Sequence, residues 1–189
     1  MKSFAVACFA LIIVSFGFAP SHGIDDWNNL RITANERKIN FQIDWSGAII
    51  QNIDYPEWVE GEKDWKGSEA ELRNKFIKSF NGITDNGDYP HRLGNYAEAP
   101  YSLILHIVNV NEDGSMIQAV VSVVDDHENT IFQKEHFSNK GHWGSTINLM
   151  GDALEEMGRS VGNNFYRYAR PDKKERKKNY NDGIYSRKK

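Results

Sequence analysis

Apolar and polar positions are most clearly patterned between Tyr101 and Phe137. Three apolar segments, residues 101–110, 116–124 and 130–137, are separated by two short polar interruptions, 111–115 and 125–129. The first interruption contains Asp113-Gly114, a hairpin dipeptide, because glycine takes a positive φ without steric cost. Three β-rich runs joined this tightly predict an antiparallel meander. The first run is apolar on both faces, with Leu103, Leu105 and Ile107 opposite Ile104, Val108 and Val110. That predicts a central strand with a covering layer on each side. The last run ends Gln133-Lys134-Glu135-His136-Phe137, is more polar, and reads as an edge strand.

Before the meander, Ile39, Phe41, Ile43 and Trp45 alternate with Asn40, Gln42 and Asp44, the pattern of a half-buried strand that Gly47 ends or bulges. Residues 24–38 have no sustained period and read as an irregular lead-in pinned by Trp27. Residues 53–67 read as an acidic, aromatic connection. Ser68-Glu69-Ala70-Glu71 has the form of a capping box, and Leu72, Phe76 and Phe80 follow at four-residue spacing with Ile77 beside them, so a short amphipathic helix is expected from Ser68 to about Gly82. Residues 83–100 read as loop.

After the meander, Ile147, Met150, Leu154, Met157, Val161 and Phe165 recur at steps of three and four, predicting a long helix from Ser145 or Thr146 to about Tyr168. Gly151, Gly158 and Gly162 lie along one flank of it. Each costs a helix about 1 kcal/mol relative to alanine, so the flank is read as a close approach to another element, either within the chain or across a Gly158-x-x-x-Gly162 helix dimer. The order is β-α-β-β-β-α, and the expected class is α+β, with two helices packed on one face of a four-stranded sheet.

Composition is that of a soluble globular chain of 189 residues, 40% apolar and 26% charged, with mean hydropathy -0.61. The exception is residues 1–23, where Lys2, an apolar run from Phe4 to Phe18 and a small-residue end predict a cleaved signal peptide. At about 15 residues that run is short for a membrane span, which needs about 20. Cys8 is the only cysteine and lies inside this segment. Only a few residues precede Ala5-Val6-Ala7-Cys8, too few for a lipoprotein leader, and the exported chain would have no disulfide. With no Asn-x-Ser/Thr sequon either, the chain leans towards a bacterial envelope or periplasmic location, or secretion otherwise. Charge is segregated: residues 24–169 carry 13 Lys/Arg against 23 Asp/Glu, whereas 170–189 carry nine against three. The expected domain is 39–169, followed by a basic tail read as disordered.

Candidate chemistry is sparse. There is no Gly-rich phosphate loop, no Gly-x-Ser-x-Gly elbow and no His-Glu-x-x-His pair. Asp125-Asp126-His127-Glu128 groups acids with an imidazole, but in a predicted turn, where Asp and Asn are favoured for backbone reasons. His136 and His142 flank one loop, and His91 and His106 lie elsewhere; no spacing specifies a zinc set. No catalytic residue, metal or cofactor is therefore indicated. Tyr55, Trp58 and Trp65, and separately Trp143, are candidate partner- or ligand-binding aromatics; stacked on sugar rings, the first three would make a glycan-binding module. The alternative for them is a lid folded over the core. Lys173, Lys174, Arg176, Lys177 and Lys178 are candidate contacts to an anionic lipid or lipopolysaccharide surface. Nucleic acid is not expected, since the acidic body has no second basic surface.

In organisation the chain resembles small bacterial envelope accessory domains: the lipopolysaccharide-assembly lipoprotein, the transport-auxiliary lipoproteins and the amino-terminal domain of TolB-type proteins. The residues that carry this are Ser102-Leu103-Ile104-Leu105-His106-Ile107, Ala119 to Asp125, and Met150-Gly151-Asp152-Ala153-Leu154. The resemblance implies a non-enzymatic exported protein that binds an envelope protein or lipid during assembly or transport, and it carries no catalytic residues over. A small-ligand or glycan binder, and a small hydrolase, are the other readings.

Overall fold

A computed structural model describes residues 23–141 and 143–171. It is a mixed α+β fold. The elements are a 3-10 helix (Trp27–Thr33), β1 (Lys38–Asp44), β2 (Ile49–Ile50), β3 (Ile53–Asp54), α1 (Tyr55–Gly61), α2 (Trp65–Thr84), β4 (Arg92–Gly94), β5 (Tyr101–Val110), β6 (Met116–Asp125), β7 (Thr130–Asn139) and α3 (Thr146–Tyr168). The signal-peptide reading of residues 1–22 and the tail at 172–189 lie outside the described residues.

The expected meander is present. β5 pairs antiparallel with β6, and β6 with β7, in registers that place Leu105 opposite Val121 and Val123 opposite Phe132. The Asp113 carboxylate accepts the Ser115 N–H at 2.8 Å and so closes the first hairpin. β1 lies on the other side of β5, in parallel, with Phe41 beside Leu103 and Ile43 beside Leu105. Parallel pairing follows from the intervening helix, because α2 returns the chain to the end at which β1 began.

Among the described residues the sheet has seven strands, not four. β4 adds in parallel outside β1, while β2 continues the line of β1 along β5 and carries β3 as a two-residue hairpin. Strands of two or three residues leave no readable alternation in the sequence, which is why these regions read as loop.

One face of the sheet is dry. Ile39, Phe41, Leu103, Leu105, Ile107, Ala119, Val121, Val123 and Phe132 are all essentially inaccessible, packed beneath Leu72, Phe76 and Phe80 of α2 and Met150, Leu154, Met157, Val161 and Phe165 of α3. Burying a side chain of this size contributes about 1.5–3 kcal/mol. Trp27 pins the lead-in as expected, its ring 4.4 Å from that of Phe132. The other face differs from the expectation of a second covering layer: Ile104, His106 and Val108 are half-buried at best, and the residues beside them on β1 and β6 are similarly open.

The helices pack on each other through the glycine flank. A Cβ on Gly158 would stand 2.5 Å from the Phe76 carbonyl oxygen, and one on Gly162 3.1 Å from that of Phe80. The flank therefore meets α2 of the same chain. α2 starts at Trp65, one turn before Ser68. Ser68 Oγ donates to the Asp64 carbonyl at 2.7 Å, so the expected capping box does not form. Burial of Trp65 rewards the extra turn more than a cap at Ser68 would. At the other end α2 passes Gly82 and stops at Thr84.

Candidate partner-binding surface

The aromatic residues of the acidic connection are placed by α1 and the first turn of α2. Residues 53–67, expected to be irregular, form β3, α1 and the start of α2. Pro56 sits in the first turn of α1, where its missing N–H costs nothing. Trp58 and Trp65 are 5% and 4% exposed. Their rings meet edge to face at 5.1 Å, and Trp65 meets Trp45 in the same way at 5.1 Å. The indole N–H of Trp58 donates to Gln51 Oε1 at 2.9 Å and that of Trp65 to the Tyr55 hydroxyl at 3.2 Å. Tyr55 is half-buried and stacks on Trp45 at 5.8 Å. Partial burial is also the main reason its phenol titrates above the usual range. This is the lid arrangement. Both tryptophans are committed to the core, and neither offers an open ring face to a sugar.

Trp143 is the opposite case. It lies in the loop between β7 and α3 and is 93% exposed. Gly141 and Gly144 on either side of it take φ of +96° and +140°, values that side-chain-bearing residues rarely adopt. The following Ser145 caps α3, its hydroxyl accepting the Asn148 N–H at 3.4 Å. Sequence alone left Trp143 and Trp58 equivalent; only the fold separates them.

Met116 and Phe137, which the sequence reading did not single out, are exposed nearby on the open sheet face. Met116 pairs with Asn139 and Gln118 with Phe137, so the two apolar side chains are diagonal neighbours on β6 and β7. Among the described residues β7 has a strand on one side only, as expected of an edge, and the Ile24 carbonyl covers part of its free side by accepting the Gln133 N–H at 3.0 Å. The signal that could have found Phe137 was its place in a polar edge strand, where an aromatic has no core to fill.

The polar clusters are accounted for locally. Asp125 Oδ1 accepts the N–H groups of His127 and Asn129 at 2.9 and 2.8 Å, making the β6–β7 turn. The hydrogen bond from Asn129 leads the causes that hold its carboxyl below the usual range. His127 Nδ1 bonds Asp126 at 2.6 Å, and that contact raises the imidazole above its ordinary value. Asp125, Asp126 and His127 are the one group of three metal-ligating side chains among the described residues. All three are at the surface, with both Asp125 oxygens bonded within the turn and Asp126 Oδ1 bonded to His127 Nδ1.

His106 and Asp44 face each other across β5 and β1 at 2.8 Å on the open face. Asp44 titrates below the usual carboxylate range: partial burial opposes this, and hydrogen bonds from Ser46 and His106 outweigh it. His91 is buried in the core, its Nε2 3.1 Å from the Thr33 carbonyl, and burial pushes its imidazole down. His136 is also pushed down by burial, with Lys134 adding to the effect. His142 and the cations Lys173, Lys174, Arg176, Lys177 and Lys178 lie outside the described residues. An open groove of about 590 Å³ at the opposite end of the sheet is lined by Glu36, Arg37, Lys38, Tyr96, Glu98 and neighbouring backbone.

No family model and no curated protein matches the sequence. Among solved structures the chain is similar to protein XCC0632 from Xanthomonas campestris, of family DUF330, at TM-score 0.39 and 5% identity, over 70% of this chain and 84% of that one. It is similar also to a PelC dodecamer from Paraburkholderia phytofirmans at TM-score 0.38 and 8% identity, over 68% of this chain and 89% of that one. No described helix is long and apolar enough to cross a membrane.

Proposed function

We propose that this chain is an exported accessory protein of the cell envelope that acts by binding, not by catalysis, and that its partner seats at the end of the sheet around Trp143. The observation that carries this reading is the exposure of Trp143, 93%, on a loop whose flanking Gly141 and Gly144 take positive φ. An indole left in water is costly unless something covers it, and aromatic side chains dominate the energetics of partner binding. Export rests on the apolar leader at residues 4–18. Binding is favoured over chemistry because the acid and imidazole clusters that would serve a hydrolase are spent on turns and strand pairing.

A photo-crosslinking residue at position 143, in the chain expressed in its native host, tests the reading. The expected result is one dominant adduct with an envelope protein or lipid, absent when the probe is moved to the exposed α2 position Glu71. Substrate turnover by the purified chain, abolished by substitution of one polar cluster, would overturn it.

A further inference from the structure

Six large apolar side chains are exposed among the described residues, and four of them, Ile53, Met116, Phe137 and Trp143, stand at one end of the molecule. This is the end where β5 and β7 finish and where β6, α2 and α3 begin. Ile53 reaches it because β3 pairs with β2, and β2 with the last residues of β5. An exposed apolar group of this kind calls for an occupant.

The charges around it restrict what that occupant is. Asp54, Glu57, Glu60, Glu62 and Asp64 run from β3 to the start of α2, and Glu112 and Asp113 lie in the β5–β6 hairpin. None of these seven carboxylates forms an ion pair among the described residues. Only Lys63 and Lys66 interrupt them within residues 54–66. An anionic membrane is repelled by such a rim, whereas a cationic polypeptide with some apolar side chains is attracted to it.

The chain contains one segment of that chemistry. Residues 170–189 carry nine Lys/Arg against three Asp/Glu, together with Tyr180, Ile184 and Tyr185. The 23 residues of α3 separate its two ends by about 34 Å at about 1.5 Å per residue, and the described chain stops at Pro171, at the far end. Lys178 is seven residues further on, about 25 Å when fully extended, so the backbone of the cluster 173–178 falls short of the acidic end of its own copy, and only the last residues of the segment have the length to run back to it. The whole cluster can meet the acidic end of another copy.

We propose that the chain self-associates head to tail, residues 172–189 of one copy lying across the acidic, apolar end of the next. This rests on the partner-binding reading of that end and makes the partner a second copy: a crosslink from position 143 to the chain itself agrees with both, and a crosslink to a different protein keeps the binding reading while overturning self-association. The contact is heterologous, so it closes into a ring or continues as a filament. It is also electrostatic in large part and weakens as salt rises.

Sedimentation velocity on the exported chain at low and high salt tests this, with two charge-reversed forms. One carries K173E, K174E, R176E, K177E and K178E; the other carries D54K, E57K and E60K, all at exposed positions that leave the core untouched. The unaltered chain is expected to associate with concentration at low salt. Each form alone loses at least about tenfold in affinity, and mixing the two restores association with the forms alternating, because at every junction tail and end are again opposite in sign. Circular dichroism melts matching the unaltered chain establish that both forms fold. A monomer at every concentration overturns the proposal, as does failure of the mixture to associate. So does a tail variant that sediments unchanged while losing its binding to phosphatidylglycerol vesicles, which would assign the tail to a lipid surface.

Discussion

Trp58 and Trp143 belong to the same residue type and sit in polar stretches without period. The fold treats them oppositely: Trp58 is 5% exposed and Trp143 93%. The difference comes from what arrives from elsewhere in the chain. Trp58 meets Trp65, has Gln51 to accept its indole N–H, and shares a cluster with Trp45 at the end of β1. Among the described residues nothing comparable converges on Trp143, which stays exposed between two glycines of positive φ. An aromatic in a polar segment is therefore core or contact surface according to whether a second aromatic and a hydrogen-bond acceptor are brought to it.

The largest effect expected from this contrast is in the buried cluster. Truncating a buried aromatic removes its transfer energy and leaves a cavity, so Trp65→Ala should cost about 3–5 kcal/mol in urea unfolding. Trp58→Ala should fall in the same range, with Gln51 left without its indole donor. A loss below about 1 kcal/mol for either would mean that the cluster is a surface feature and that the contrast with Trp143 does not hold.

The same logic of neighbours applies to glycine. A Cβ on Gly158 would sit 2.5 Å from the Phe76 carbonyl oxygen, a backbone atom that cannot move aside without shifting α2. Gly158→Ala should therefore destabilise by about 1–3 kcal/mol, overpacking outweighing the gain in helix propensity. Gly82, also helical, has nothing within 4 Å of its added Cβ, and Gly82→Ala should stabilise by up to about 1 kcal/mol. If both substitutions stabilised, the close helix approach would be wrong.

Burial also sorts the histidines. His91 and His136 are pushed below their ordinary value of 6.5, so the unfolded chain binds the protons that the folded chain refuses. Stability should rise with pH through the window below 6.5 and fall on acidification, by at most about 1.4 kcal/mol per pH unit per group. His127, exposed and raised by Asp126, acts in the opposite sense and in a different window, its contribution being present below 6.5 and lost as pH rises above it. The carboxylates of Asp44, Asp113 and Asp125 are held low, and their contribution is lost only further down, as pH falls below about 4. His91→Phe, measured by urea midpoints between pH 5 and 7, should flatten the upper limb; an unchanged slope would mean that His91 binds protons equally in the folded and unfolded chain.

Long periodic segments were legible in the sequence because their pattern is local. The meander and the stripe from Ile147 to Phe165 are read directly from spacing, and the structure places them as expected. Pairing was not legible: nothing in Phe41 announces that it will lie beside Leu103 in parallel. The start of α2 was misread because a local cue, Ser68 and Glu71, competed with a tertiary one, the burial of Trp65 against Trp45 and Trp58. The candidate surface was half legible. Trp143 was singled out, but so were three aromatics that the fold absorbs, and Phe137 was passed over although its run already read as an edge strand, because which face of that strand stays uncovered is a property of the assembled sheet.

The smallest stability effect is the most telling about the surface. Trp143→Ala removes no described packing and should shift unfolding by no more than about 0.5 kcal/mol. Its optical effect should be large by comparison. Of the five tryptophans, Trp45, Trp58 and Trp65 are buried and Trp27 is packed on Phe132, so Trp143 supplies most of the fluorescence open to an aqueous quencher such as iodide. The variant should lose most of the quenchable fraction and the red edge of the emission. In the isolated chain at high salt, where charge-driven association is weakest, quenching of the unaltered protein should be at its fullest. At low salt and high concentration it should fall if another copy covers that end. A Trp143 shielded at every salt concentration would show that the loop packs back on the body, and the partner surface would then have to be sought on the open sheet face around His106 and Asp44.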